Sequence, residues 1–341
     1  MQALTFSFHN LLGLQVEAED ADVRTFYSDE YAFHRGDPPS DVPLVRMRWG
    51  AGGTGLPSHQ HKILARWRSQ VELEGREVRI AAFGNRLSIP MVHHMLVHPS
   101  LRYLAGQSGL ILLHAASVAR GGRSLVLTGA GGVGKTTLST LLLASADRQW
   151  RLQGDDYVFL APGRKTRAYV TRSHLYRNLT DWVPEVRSRL TSAEKRKLAI
   201  LGRIRQWSRE RIKWPVRVSA DRLWPGRGVA AEAELAAVVL LQRGSVDEPR
   251  LRRADRDEGI LESLCEMNFG EARHFIRLIW GAEGWRHPAL DEWRKRERRL
   301  LQGLTDGIPF YWLELPSGNV RSEGLRETLV GLLRPLVESR A

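Results

Sequence analysis

Cysteine is almost absent from this chain: among 341 residues there is one, Cys265. A lone cysteine excludes an intrachain disulfide and fits a reducing compartment. Its expected role is that of a small buried hydrophobe. Long uncharged apolar runs are missing too. The best candidates are broken by Arg, His or Gly, so no membrane span is expected. The opening residues MQALTFSFHNLLGLQVEAED have no basic stretch ahead of the apolar ones, which argues against a secretory signal and for a cytoplasmic protein. There is no internal repeat and no low-complexity tail. Acidic residues are in deficit, 38 against 51 Lys and Arg, giving a formal net charge of +13. That excess suits acidic peptides, phosphates, nucleic acid or an anionic surface as partners. It equally suits an arginine-rich proteome.

What remains is ordinary globular composition, 43% hydrophobic and 26% charged, over a length that fits one large domain or two smaller ones. Residues 1–100 read as a smaller β-rich region. VELEGREVRI alternates apolar and polar residues around Glu74-Gly75, and AAFGNRLSI does so around Gly84-Asn85, so two hairpins are expected. A helical stretch follows from Met91 to Leu104, then the apolar strand LILLHAASVA, Leu110 to Ala119. RGGR is a turn, and SLVLTG a short strand.

That strand runs into GAGGVGKT, Gly129 to Thr136, a full match to G-x-x-x-x-G-K-[ST] with helical spacing after it. Each choice has a physical reason. Glycines let successive N–H groups turn toward phosphate oxygens. A helix starting near Lys135 aims its positive end at the same anion. Lys135 would neutralise the β- and γ-phosphates, and Thr136 would offer a hydroxyl to Mg²⁺. The expected nucleotide-binding residues are Gly129, Ala130, Gly131, Gly132, Val133, Gly134, Lys135, Thr136 and Thr137.

Such a site needs a carboxylate near the metal. The best later apolar strand, VVLLQRG, ends in Gln242 and Arg243 and offers none. LQGDDYVFL offers Asp155 and Asp156 only one helix and one strand after Lys135. Neighbours on a strand point to opposite sides, so the two would divide the work, one toward metal and one toward the acceptor. GDD is also a common turn. His114, ending GLILLH, is either a satisfied core residue or, on a strand antiparallel to SLVLTG, close to the phosphates.

The series LLHAASVARGGRSLVLTGAGGVGKTTLSTLLLAS…LQGDDYVFL resembles the HPr kinase/phosphorylase-like family over roughly 109–160. The resemblance implies a P-loop core akin to phosphoenolpyruvate carboxykinase, an α/β fold with a mixed sheet, over 101–341. It implies ATP and Mg²⁺ as cofactors and transfer of the γ-phosphoryl group to a hydroxyl. By motif, Asp155 is the base, Asp156 and Thr136 stand on the metal side, and His114 assists at the phosphates. The roles of Asp155 and Asp156 are open to exchange. Arg172 is one candidate for the arginine that would stabilise spreading charge. Relatives act on serine of a protein, free serine or a peptide's C-terminal serine, so the acceptor is a peptide, protein or small-molecule hydroxyl. Homo-oligomerisation is left open.

Between Pro184 and Arg217 stand 11 Lys and Arg against three Glu. TSAE, Thr191 to Glu194, is a capping box. Leu198, Leu201, Ile204 and Trp207 follow at about three-residue spacing, which predicts a basic amphipathic helix, extended here to Lys213. It reads as a lid over an acidic substrate, a nucleic-acid surface interleaved with Trp182, Trp207, Trp214 and Trp224, a membrane-resting element, or a solvated face. The rival to a kinase is therefore an ATP-hydrolysing regulatory or nucleic-acid-binding module. His59 with His61, and His93, His94 and His98, lack acidic or cysteine companions and read as surface or interdomain histidines rather than a zinc site. ELAAVVLLQRG and IPFYWLELP are later strands, and EGLRETLVGLLRPLVES a closing helix.

Overall fold

The computed structural model describes residues 3–50, 56–209, 211–212, 214–255, 259–281, 286–317 and 323–338. In order these form β1 (Leu4–Phe8), β2 (Leu12–Ala18), α1 (Ala21–Glu30), β3 (Leu44–Trp49), β4 (Ser58–Lys62), β5 (Ala65–Glu74), β6 (Glu77–Gly84), α2 (Ile89–Val92), α3 (His98–Gln107), β7 (Ile111–Leu113), β8 (Ala115–Arg120), β9 (Arg123–Gly129), α4 (Lys135–Ala144), β10 (Arg151–Gly154), β11 (Val158–Ala161), β12 (Lys165–Arg167) and β13 (Ser173–Leu175). Then come α5 (Arg177–Trp182), α6 (Pro184–Ser188), α7 (Ser192–Trp207), β14 (Val216–Val218), α8 (Ala220–Leu223), β15 (Glu232–Gly244), β16 (Arg250–Arg253), α9 (Ile260–Glu271), α10 (Arg273–Trp280), α11 (Pro288–Leu304), β17 (Phe310–Pro316), α12 (Glu323–Leu333) and α13 (Pro335–Glu338). The chain is mixed α/β with mixed sheets.

It gathers into two compact units, one from residues 1–113, 159–163 and 259–306, the other from 114–158, 164–258 and 307–341. A break near residue 100 is expected from sequence. The first unit instead runs to Leu113 and takes back α9 to α11. The reason is buried: Arg102 on α3 pairs with Glu297 on α11 at 2.9 Å and lies over the rings of Phe269 and Trp293.

The first unit is β-rich at its start, in the order β1-β2-β3-β6-β5-β4. The hairpin between β5 and β6 turns at Gly75, as the alternation implies. No second hairpin follows Gly84. Asn85 is tied back to β5, its amide donating to Leu64 O at 2.8 Å and its backbone N–H to Arg66 O at 3.1 Å. The chain then enters α2, and a π-helical turn at His93–Val97 carries it into α3.

In the second unit β9, β15 and β17 are parallel, with β15 central between β9 and β17. β8 runs antiparallel to β9, and β10 to β8; β12 joins the early part of β15, and β16 the outer side of β17, both antiparallel. The expected strand over 110–119 is divided at His114 into β7 and β8. A long apolar β15, buried from Leu235 to Leu241, reads as the central strand and is one. The nucleotide-type loop leaves the end of β9, at the carboxyl end of this parallel trio.

Candidate functional site

Gly129 ends β9 with φ +142°, and a Cβ there would stand 2.6 Å from Leu241 O on β15. Backbone conformation and close approach both demand glycine. Gly132 and Gly134 also have positive φ, so the loop wraps in the manner that turns consecutive N–H groups toward one point. Helix α4 begins at Lys135, so its N-terminal amides share that point. Lys135 is buried, and its ammonium donates to the loop's own carbonyls, Gly129 O at 2.7 Å and Ala130 O at 3.4 Å. Glycine loop, helix N-terminus and lysine thus meet in one place.

Asp155 and Asp156 do not lie on a strand. They occupy the bend between β10 and β11. The bend is tight because a Cβ at Gly154 would fall 1.9 Å from Tyr157 O, so only glycine admits it. Its base is anchored: Gln153 Oε1 accepts from Ser117 and Thr166 hydroxyls at 2.9 and 3.0 Å, and Gln153 O accepts from Tyr169 N at 2.9 Å. The two carboxylates differ in burial and meet different atoms of His174. Asp155 is buried. Burial pushes its carboxyl up to about 7, and the charge of Asp156 adds to this; the backbone N–H of His174 and the Thr136 hydroxyl oppose it. Asp156 is half-buried and lies 2.8 Å from His174 Nδ1.

His174 sits on β13, two residues before Tyr176. Burial raises the Tyr176 phenol, and the nearby charges of Asp156 and Asp155 raise it further, while Arg205 and Arg217 oppose them. Arg205, on α7, stands over the Tyr176 ring at 5.2 Å. Arg217 pairs with His174 across β13 and β14. The basic helix therefore borders the aspartate pair.

The structure brings Lys135, Thr136, Asp155 and Asp156 around one end of the β9–α4 loop. His114 precedes β8, which is antiparallel to β9; its backbone C=O accepts from Thr128 Oγ1 at 3.3 Å and its ring packs on Tyr157 at 5.3 Å. Arg172 is half-buried just before β13. Arg243, which is no metal-side acid, is not marked as a site residue by the sequence pattern. Its Nη1 donates to Pro316 O at 2.7 Å, and its Nη2 would be 4.0 Å from a Cβ on Gly134. Its place at the carboxyl end of a buried parallel strand, where α/β sheets hold ligands, was the signal for it. His174 and Tyr176 were signalled only by the alternation in SHLY.

Oxygen donors from Thr136, Asp155 and Asp156 suit Mg²⁺, which is held by one or two carboxylates together with substrate phosphates. Among the described residues no group of three or more His, Cys, Asp or Glu forms a metal cage by itself. His59 and His61 are exposed on β4. His93 is buried and bonded to Tyr31 Oη at 2.9 Å, and His98 is buried beside it, so these two are core residues rather than surface ones. Burial raises the Cys265 thiol to about 12, in keeping with an inert hydrophobe. No helix among the described residues is long and apolar enough to cross a membrane.

No family model matches the chain. No curated protein matches it either. Among solved structures it is similar to the HPr(Ser) kinase/phosphatase from Coxiella burnetii, at 15% identity over 67% of this chain and 99% of that one, with a TM-score of 0.31. A likeness that weak carries neither fold nor activity.

Proposed function

We propose that this chain is an ATP- and Mg²⁺-dependent kinase that moves the γ-phosphoryl group to a hydroxyl, of serine in a peptide or protein or of a small molecule. The core in this reading is a phosphoenolpyruvate-carboxykinase-like P-loop unit. The observation that carries it is a glycine loop with a buried lysine, Lys135, on a helix whose next residue, Thr136, stands near enough to the buried carboxyl of Asp155 to lower its pKa. An anion cradle and a proton acceptor are thereby joined in one place.

The loop amides and Lys135 would hold the β- and γ-phosphates, and Arg243 would meet charge spreading toward the leaving oxygen. Thr136 and Asp156 would hold Mg²⁺, which supplies positive charge against the phosphate oxygens. Asp155, near neutrality in its pKa, would take the acceptor's proton as the acceptor oxygen bonds to the γ-phosphorus. The bond from that phosphorus to the β–γ bridging oxygen breaks, and ADP leaves with the electron pair. The nearness of Thr136 to Asp155 also suits the exchanged assignment, with Asp155 on the metal and Asp156 as base. Metal titration of Asp155→Asn and Asp156→Asn separates them: the variant whose Mg²⁺ requirement rises has lost the metal-side carboxylate.

A second reading has support in the basic α7 with its exposed Trp207: a nucleotide-hydrolysing module that binds nucleic acid. Incubation with γ-labelled ATP tests the choice. A kinase forms a stable phosphoester on the acceptor. A hydrolysing switch releases only inorganic phosphate, and does so faster with single-stranded nucleic acid.

A further inference from the structure

Helix α7 is built as a fixed element. Thr191 and Glu194 close its capping box, Arg222 pairs with Glu194, and Gly202 lets it approach Arg177 of α5 to within 2.9 Å of where a Cβ would stand. Leu198 is buried and Leu201 and Ile204 half-buried, so one face packs on the second unit. The opposite face is unusual. Arg196, Ile200, Arg203 and Trp207 recur at spacings of four, three and four, which aligns them along one side over about 16 Å. All four are exposed, Ile200 at 56% and Trp207 at 85%. No acid shares this stripe. An apolar pair interleaved with arginines is left facing outward on a rigid helix.

We infer that this stripe docks an acidic polypeptide segment belonging to the phosphoryl acceptor; the inference rests on the kinase reading for the word acceptor, but the docking stands apart from it. Charge complementarity selects an anionic partner. Arginine forks match carboxylates bidentately, and Trp and Arg are the residue types that dominate binding at interfaces. A lipid surface fits less well, because helices that lie on membranes bury a broad apolar face, whereas the broad apolar face here is packed inward. Single-stranded nucleic acid calls for a series of stacking rings, and the stripe has one. The same helix carries Arg205 to the Tyr176 ring at 5.2 Å, and Tyr176 lies within the field of Asp156. The docked segment and the surroundings of the aspartate pair therefore share one helix, on its opposite faces.

The test uses the full chain without nucleotide and a fluorescein-labelled 15-residue peptide of Glu, Leu and Ser, followed by anisotropy at low and moderate salt. A matched peptide with Lys for Glu, a single-stranded 15-mer DNA, and vesicles with and without anionic lipid are the other arms. The Glu peptide is expected to bind, with Kd raised at least about tenfold by Trp207→Ala or by Arg196→Glu/Arg203→Glu, while Tm and ATP affinity are unchanged. The Lys peptide is expected not to bind. No binding of the Glu peptide, binding that ignores these substitutions, or tighter capture of DNA or anionic vesicles through the same residues overturns the proposal. Retained peptide binding without phosphoester formation from ATP would remove the kinase reading and leave the docking surface standing.

Discussion

His174 holds Asp156 from its ring and Asp155 from its backbone: Nδ1 is 2.8 Å from Asp156 Oδ2, and its N–H donates to Asp155 Oδ2 over 3.3 Å. One residue on β13 therefore orients both carboxylates of a bend that sheet hydrogen bonds alone would leave free to turn. His174→Ala should keep the backbone bond and release Asp156. Misplacing a reacting or metal-side group by a fraction of an ångström is expected to lower kcat about 10- to 100-fold, with the KM for ATP little changed. His174→Gln, which retains a donor, should recover part of the loss. Steady-state kinetics on both variants check this, and equal kcat in all three proteins would refute it.

Lys135→Ala removes the buried ammonium at the loop wall. Charge-assisted hydrogen bonds are worth roughly 1.5–3 kcal/mol, so ATP·Mg²⁺ affinity should fall about 10- to 100-fold. Isothermal titration measures it. Unchanged affinity would remove the P-loop assignment.

Arg243→Ala should leave nucleotide affinity within a few-fold and lower kcat by about 10²–10³, the range for losing one preorganised donor of transition-state charge. Arg172→Ala run beside it tells which arginine serves. A larger kcat loss at Arg172 would return that role to the residue first suspected.

The stability of the chain without metal or nucleotide should reflect Asp155. Its folded carboxyl titrates near 7, above the ordinary 3.8. The folded state therefore keeps a proton that the unfolded state releases, and stability falls as pH rises from about 4 through about 7. Asp155→Asn abolishes that dependence. The difference in Tm between variant and parent should shift by a few degrees in the variant's favour between pH 4 and pH 8, read by thermal melts across the series. A constant difference would mean that Asp155 is not perturbed by folding.

Much of the second unit was legible because its signals are local. The capping box at Thr191 and Glu194 depends on residues three apart and is present as read. The strand–loop–helix around Gly129 to Ala144 follows from a glycine pattern between two apolar periodicities. What failed depended on distant partners. Trp207 extends the periodicity of Leu198, Leu201 and Ile204 but lies past the packing surface, so it is exposed, and α7 ends there rather than at Lys213, which lies outside the described residues. GDD reads either as a turn or as part of a strand in a one-dimensional pattern; the approach of Tyr157 O to Gly154 decides for the turn. Arg243 became visible once β15 was set parallel to β9, since register alone brings it to the loop. The return of α9–α11 to the first unit rests on the Arg102–Glu297 pair, 195 residues apart.

The most direct test is transfer itself. The protein, γ-labelled ATP and Mg²⁺ are incubated with free serine, a Ser-containing acidic peptide and a mixture of cell proteins, and label is followed into acid-stable phosphoester. The expected result is label on one of these acceptors, lowered about 10²–10⁴-fold by Asp155→Asn and abolished in Asp155→Asn/Asp156→Asn, while ATP still binds. Label found only as inorganic phosphate, or a double variant as active as the parent, would contradict the kinase reading.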